Sequence, residues 1–127
     1  MKAHMLLTNH AETTPDSRDP RLRTRMYRAA PDAVSAALET LVPSLRTYGR
    51  PWRIVRTDGA GDAMRTLHVE VPVVVFTDDL IVEIAPRGTG SRVEMRSRSR
   101  VGKGDLGENR RHLLQLLPAL DQALASV

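Results

Sequence analysis

The chain contains no cysteine. That excludes disulfides, thiolate metal ligands and cysteine nucleophiles. Aromatic residues are nearly as scarce, because Tyr27, Tyr48, Trp52 and Phe76 are the complete set. Stacking of single-stranded nucleic acid relies on exposed rings, so that mode is not expected, and the core must be aliphatic. Lysine occurs only at Lys2 and Lys103, and the other seventeen basic residues are arginine. Acids are interspersed with these bases, so there is no basic tail and nucleic acid ranks last among partners. No apolar run reaches the roughly 20 residues of a membrane helix, and the opening MKAHMLLTNH lacks a secretory apolar stretch. No membrane span is expected, and a cytoplasmic location is the default. Internal repeats and low-complexity tracts are absent.

What is present fits one domain of 127 residues, 41% apolar, with a formal charge of +4. Residues 1–20 are polar and aperiodic, which predicts an irregular N-terminal arm before a single domain over 21–127. Arg21–Ala29 alternates loosely and predicts a first strand. Pro31 suits the first turn of a helix, with Asp32 near its positive end. Val34, Leu38, Leu41, Val42 and Leu45 then share one helical face, with Pro43 limiting regular geometry late in the span.

Trp52–Thr57 predicts a short strand, and Asp58–Asp62 a hairpin connection. Leu67, Val69, Val71, Val73 and Val75 share parity, with an edge or a bulge expected at Pro72. Thr77-Asp78-Asp79 is expected to break the run. Leu80, Val82 and Ile84 predict the inner face of the next strand. In the last strand Val93, Met95 and Ser97 face inward, while Glu94, Arg96, Arg98 and Arg100 face outward. Asp105 is expected as a helix N-cap, with Glu108 completing a capping box. Leu106, Leu113, Leu117, Leu120 and Leu124 mark the last helix, with a kink or division expected at Pro118. The order β-α-β-β-β-β-α predicts an α+β fold: an antiparallel sheet of about five strands, one face covered by two helices.

The run Phe76-Thr77-Asp78-Asp79, taken with SRVEMRSRSRVGKGDLGENRR from Ser91 to Arg111, resembles the DUF1499 family. Its pattern is a Phe-x-Asp-Asp turn, a strand ending Arg-Ser-x-Ser-Arg-x-Gly, and Asp-Leu-Gly-x-Asn opening the last helix. The matching positions are Phe76, Asp78, Asp79, Arg96, Ser97, Ser99, Arg100, Gly102, Asp105, Leu106, Gly107 and Asn109. Asn9–Thr13 is similar to an Asn-Cys-Val-x-Ser/Thr segment, with His10 in the place of the cysteine. The resemblance implies a fold over most of the chain and no particular activity. A strand, an Ala-Pro-Asp-Ala-Val helix start, a meander and a long terminal helix are also similar to START-like helix-grip proteins. Those hold an apolar ligand between sheet and last helix, and normally have more strands than are read here.

The candidate constellation is Asp78, Asp79, Arg96, Arg100, Lys103, Asp105 and Asn109. A hairpin about Gly88 is expected to set Asp79 opposite Ser97 and Asp78 opposite Arg98, with Arg96 and Arg100 within diagonal reach. One reading is a structural network of ion pairs and caps before the last helix. The other is an anion site, with the two arginines aided by the N–H groups of residues 102–106. Gly102-Lys103-Gly104 lacks the spacing of a P-loop. Asp78 and Asp79 alternate across a strand, so both cannot serve one substrate.

Among His4, His10, His68 and His112 only the first two are closely spaced, so no metal site is expected. Ser97 and Ser99 lack a nucleophile elbow. Val71–Val75, with Met26, Met64 and Met95, could line a small apolar pocket. The leading expectation is a non-catalytic, cofactor-free module binding a small amphipathic or anionic molecule or a partner protein. The alternative is a small cofactor-free cyclase or isomerase, with Asp78 or Asp79 as base and Arg96 or Arg100 as oxyanion support. An assembly domain with an exposed apolar patch is a third reading.

Overall fold

The alternation that begins near Met64 folds as three long antiparallel strands. The computed structural model describes residues 10–100 and 107–125. In chain order the strands are β1 (His10–Glu12), β2 (Arg25–Tyr27), β3 (Arg46–Thr47), β4 (Arg50–Pro51), β5 (Arg53–Asp58), β6 (Arg65–Val73), β7 (Phe76–Arg87) and β8 (Gly90–Ser99). Helix α1 (Pro31–Leu41) follows β2, and helix α2 (Glu108–Leu124) follows β8. The main sheet has six strands, ordered β1-β8-β7-β6-β5, with β2 also paired to β8. β3 and β4 form a separate two-stranded hairpin. Both helices pack on one face of the antiparallel sheet, so the fold is α+β as the pattern predicts.

β1 corrects the reading of an irregular arm. His10–Glu12 pairs antiparallel with Arg96–Arg98, and the Thr13 N–H continues the ladder to the Met95 carbonyl at 2.8 Å. Three residues are too few to show a period, and the strand exists because the β8 edge supplies its partners. The first predicted strand is shorter than expected. Pro20–Leu22 is a 3-10 turn whose Arg21 N–H donates to the Asp19 carboxylate, Arg23 makes an isolated bridge to Thr14, and pairing with β8 begins at Arg25.

Helix α1 has no side-chain cap of its own. Its Asp32 N–H donates instead to Asp62 Oδ1 at 3.1 Å, so the β5–β6 turn caps it from outside. Val34, Ser35 and Leu38 turn inward, and Pro43 falls in a 3-10 turn over Val42–Ser44. Helix α2 starts at Glu108 after Gly107 in a left-handed conformation (φ +86°). The Asp105–Glu108 capping box is therefore not its start, and Lys103, Asp105 and Leu106 lie outside the described residues. Pro118 does not divide α2; it is exposed within one continuous helix.

The core joins Leu67, Val69 and Val71 of β6, Leu80, Val82 and Ile84 of β7, and Val93 and Met95 of β8. Facing them are Val34 and Leu38 of α1 and Leu113, Leu116, Leu117 and Leu120 of α2. Burying each such side chain contributes roughly 1.5–3 kcal/mol.

Two turn positions differ from the sequence reading. The β7–β8 hairpin closes through two residues, Gly88 and Thr89, with Gly88 at φ +60°, the signature of a type II′ turn. This pairs Asp78 with Ser99 and Asp79 with Arg98, one residue away from the expected register. The expected register would have set Leu80 against Arg96 and driven a guanidinium into the core, whereas here Leu80 meets Ser97. The β6–β7 run breaks at Val74-Val75, not at Thr77-Asp78-Asp79, since Val73 pairs with Phe76 and the two aspartates lie within β7. Pro72 sits in the part of β6 beyond the last β5 pair, Arg53–Glu70, and so occupies a local edge.

Candidate functional site

The β7–β8 register distributes the predicted constellation over both sheet faces. Asp78 points inward and is 3% exposed. Asp79 points outward beside Arg98. Asp78 and the two arginines therefore share no face, and the arrangement of an Asp78 base beside an Arg96 or Arg100 oxyanion support is not formed.

On the inner face, His112 Nε2 donates to Asp78 Oδ2 at 2.8 Å. The Trp52 and His112 rings meet edge to face, their centroids 5.8 Å apart at an interplanar angle of 77°. Trp52 Nε1 in turn donates to Thr47 Oγ1 at 2.6 Å. One turn earlier on α2, Asn109 Oδ1 accepts from Ser97 Oγ at 2.6 Å, and its Nδ2 donates to Ser99 Oγ at 2.9 Å. Asp78, Ser97 and Asn109 are all buried. The C-terminal motif thus acts as a polar lock that ties the ends of β7 and β8 to the first turns of α2. His112 was absent from the predicted constellation. The signal was its place on the same helical stripe as Asn109, Leu113 and Leu116, where a polar residue must find a partner.

Val71–Val75 does not form the continuous apolar wall expected of it. Val71 is core, whereas Val74 and Val75 are exposed at the hairpin tip. Met26 and Met64 are exposed as well, and only Met95 is buried. Trp52, Met95, Leu113 and Leu117 belong to the buried core shared by the sheet and α2.

On the outer face the arginines diverge. Arg100 clamps Asp79 through Nε and Nη2 at 2.9 and 2.8 Å, and also reaches Glu70 at 2.7 Å. Glu70 and Asp79 are direct cross-strand partners, and two carboxylates so placed repel. Arg100 offsets that repulsion, and its own pKa is pushed upward by the hydrogen bonds to both acids. Hydrogen bonds from Arg53 and Arg100 hold Glu70 below the usual glutamate range. Arg96 pairs with Glu83 at 3.2 Å and not with Asp79. Arg98 stands between them, exposed, and its guanidinium makes no hydrogen bond or ion pair among the described residues. Its cross-strand neighbour on the other side is His10.

These side chains border a concavity of about 540 Å³ lined by His10, Asp79, Ile81, Arg96, Ser97, Arg98, Ser99 and Arg100. The structure therefore brings Asp79, Arg96 and Arg100 to one open basin and places Asp78 and Asn109 in the lock beneath it. Among the described residues no cluster of three or more His, Asp or Glu side chains is arranged to hold a metal. No described helix is long and apolar enough to cross a membrane.

The fold is similar to that of protein CV1439 from Chromobacterium violaceum, with a TM-score of 0.50 at 13% identity over 94% of this chain and 96% of that one. The structure of Ara h 8.0201 aligns at a TM-score of 0.47 and 11% identity, over 93% of this chain and 98% of that one. The first of these is a likeness of fold alone. No curated protein matches the sequence. The model of a family described as "Protein of unknown function (DUF1499)" matches residues 6–120, the stretch that holds the polar lock and the arginine-lined basin, and the chain belongs to that family.

Proposed function

We propose that the domain is a non-catalytic module that binds a small anionic or amphipathic molecule in the basin on the outer sheet face. The observation that carries this reading is Arg98, a guanidinium without an acidic partner among the described residues, set between two arginines already neutralised by carboxylates. A free arginine over a concavity offers a forked donor to phosphate or carboxylate. Ile81 in the floor supplies apolar contact for a short alkyl portion. The volume lies within the range of roughly 300–1,000 Å³ typical of small-molecule sites.

Calorimetric titration with inorganic phosphate, pyrophosphate and dodecyl phosphate tests the proposal. Saturable binding of at least one probe is expected. Arg98→Ala should weaken it by about tenfold, or 1.4 kcal/mol, with an unchanged melting temperature because Arg98 holds nothing else in place. Absence of heat with all three probes, or equal affinity in Arg98→Ala, would overturn it.

A further inference from the structure

Only two non-glycine residues among the described ones have positive φ, Tyr48 and Val74, each at +52°. Each lies in a hairpin turn, Tyr48 between β3 and β4 and Val74 between β6 and β7. Hairpin turns normally place Gly, Asn or Asp at such positions, and a β-branched residue there is a genuine outlier. The two turns lie side by side, because Arg50 Nη2 donates to the Val74 carbonyl. Both turns carry apolar side chains into solvent: Tyr48 is 60% exposed, Val74 59%, Val75 80% and Phe76 52%. Tyr48 is steadied by its hydroxyl, which donates to Glu108 Oε2 at 2.8 Å. A strained backbone that presents large apolar groups to water is disfavoured on folding grounds alone, so the tip points to a contact made outside the domain.

Two exposed cations flank the tip. Arg46 and Arg50 bond only to backbone carbonyls, and neither meets a carboxylate among the described residues. We propose that this double hairpin tip docks on an anionic phospholipid surface, with Val74, Val75 and Phe76 entering the headgroup–acyl boundary and Arg46 and Arg50 facing lipid phosphates. Four side chains on two protruding turns fall far short of the roughly 20–30 residues a side of a stable protein interface, but a few apolar groups with adjacent arginines suffice for reversible membrane contact. Tyrosine suits this depth because its ring is apolar and its hydroxyl is wet. The site is separate from the basin and does not depend on it.

Vesicle flotation of the full chain tests the assignment, comparing pure phosphatidylcholine with phosphatidylcholine containing about 30% phosphatidylglycerol. Binding to the phosphatidylglycerol vesicles is expected, with little to the neutral ones. Val75→Asp combined with Phe76→Ser should lower the bound fraction by roughly tenfold, and Arg46→Glu with Arg50→Glu should abolish the dependence on phosphatidylglycerol. Arg98→Ala should float like the parent. Circular dichroism should report an unchanged fold, since every substituted side chain is exposed. Failure of the parent chain to float with either vesicle would overturn the proposal, as would undiminished floating of the Val75→Asp/Phe76→Ser variant. Loss of binding in Arg98→Ala alone would assign lipid recognition to the basin instead. A dimer in light scattering that Val75→Asp converts to a monomer would assign the tip to self-association.

Discussion

His112 Nε2 sits 2.8 Å from Asp78 Oδ2, and both side chains are almost wholly buried, at 2% and 4% exposure. The pair joins β7 to α2 across the point where the sheet meets the terminal helix. Removing one partner leaves the other polar group stranded in an apolar setting. His112→Ala should therefore cost roughly 3–5 kcal/mol, measured by urea denaturation. Replacing both members with leucine should recover most of that loss, since an apolar pair of similar volume avoids desolvation altogether. If the single variant cost no more than a surface substitution, the lock would not be structural.

Acid should loosen the N-terminal segment. Burial alone would raise the Glu94 carboxyl, but the hydroxyls of Thr13 and Thr24 and the Arg92 guanidinium outweigh it and hold the group below the usual 4.5. A depressed folded-state value means that the stabilisation is complete above the unfolded value and is lost as pH falls through the folded one. Thr13 and Thr24 flank the 3-10 turn at Pro20–Leu22, so protonating Glu94 releases both ends of that segment. Glu94→Gln should lose about 1 kcal/mol at neutral pH and show a flatter melting temperature below about pH 5. Equal acid slopes in the two proteins would contradict this.

Val74→Gly should stabilise the protein. Glycine adopts φ +52° freely, whereas a β-branched residue there costs about 1–2 kcal/mol. The net gain in denaturant should be about 1 kcal/mol after the extra chain entropy of glycine. The same change should reduce vesicle binding, because it deletes an apolar group from the tip. A variant that gained stability and floated equally well would remove Val74 from the membrane contact.

Gly90→Ala should be among the most damaging single-methyl additions. A Cβ at Gly90 would lie 2.1 Å from the Tyr27 carbonyl oxygen, a backbone atom that cannot rotate away. The clash falls where β2 pairs with β8, and relieving it should cost roughly 1–3 kcal/mol. Gly49→Ala meets nothing within 4 Å and serves as the comparison, although its φ of +76° carries its own strain. Thermal melts of the two variants give the ordering.

The architecture was readable wherever period and length agreed. Leu67 to Val71, Leu80 to Ile84 and Val93 to Met95 alternate cleanly, and Leu113 to Leu124 repeats at helical spacing, so the meander and last helix follow from pattern alone. β1 was not readable, because three residues carry no period and their pairing is decided by β8, far along the chain. The Val74-Val75 turn was hidden for the opposite reason. Its residues have strand propensity, and the apolar run continues through it, so nothing local marks a reversal. Within the candidate site, the assignment of Asp78 and Asp79 to opposite faces followed from alternation. Of the partners, the Arg100–Asp79 pair lay within the expected diagonal reach, whereas Arg96 to Glu83, Arg100 to Glu70 and His112 to Asp78 were not foreseen. Lys103 and Asp105 lie outside the described residues.

Strand β8 seats both β1 and β2 along a single edge and supplies the partner of β7 on the other. On a ribosome, β1 and β2 therefore emerge long before the strand that will receive them has been made. The β6–β7–β8 meander joins near neighbours in sequence and can form early, whereas closure of the N-terminal edge waits for distant partners. Until that closure, one flank of β8 is a naked ladder of unpaired amides and carbonyls. His10–Glu12 is thus made well before its partner strand and put away only after it.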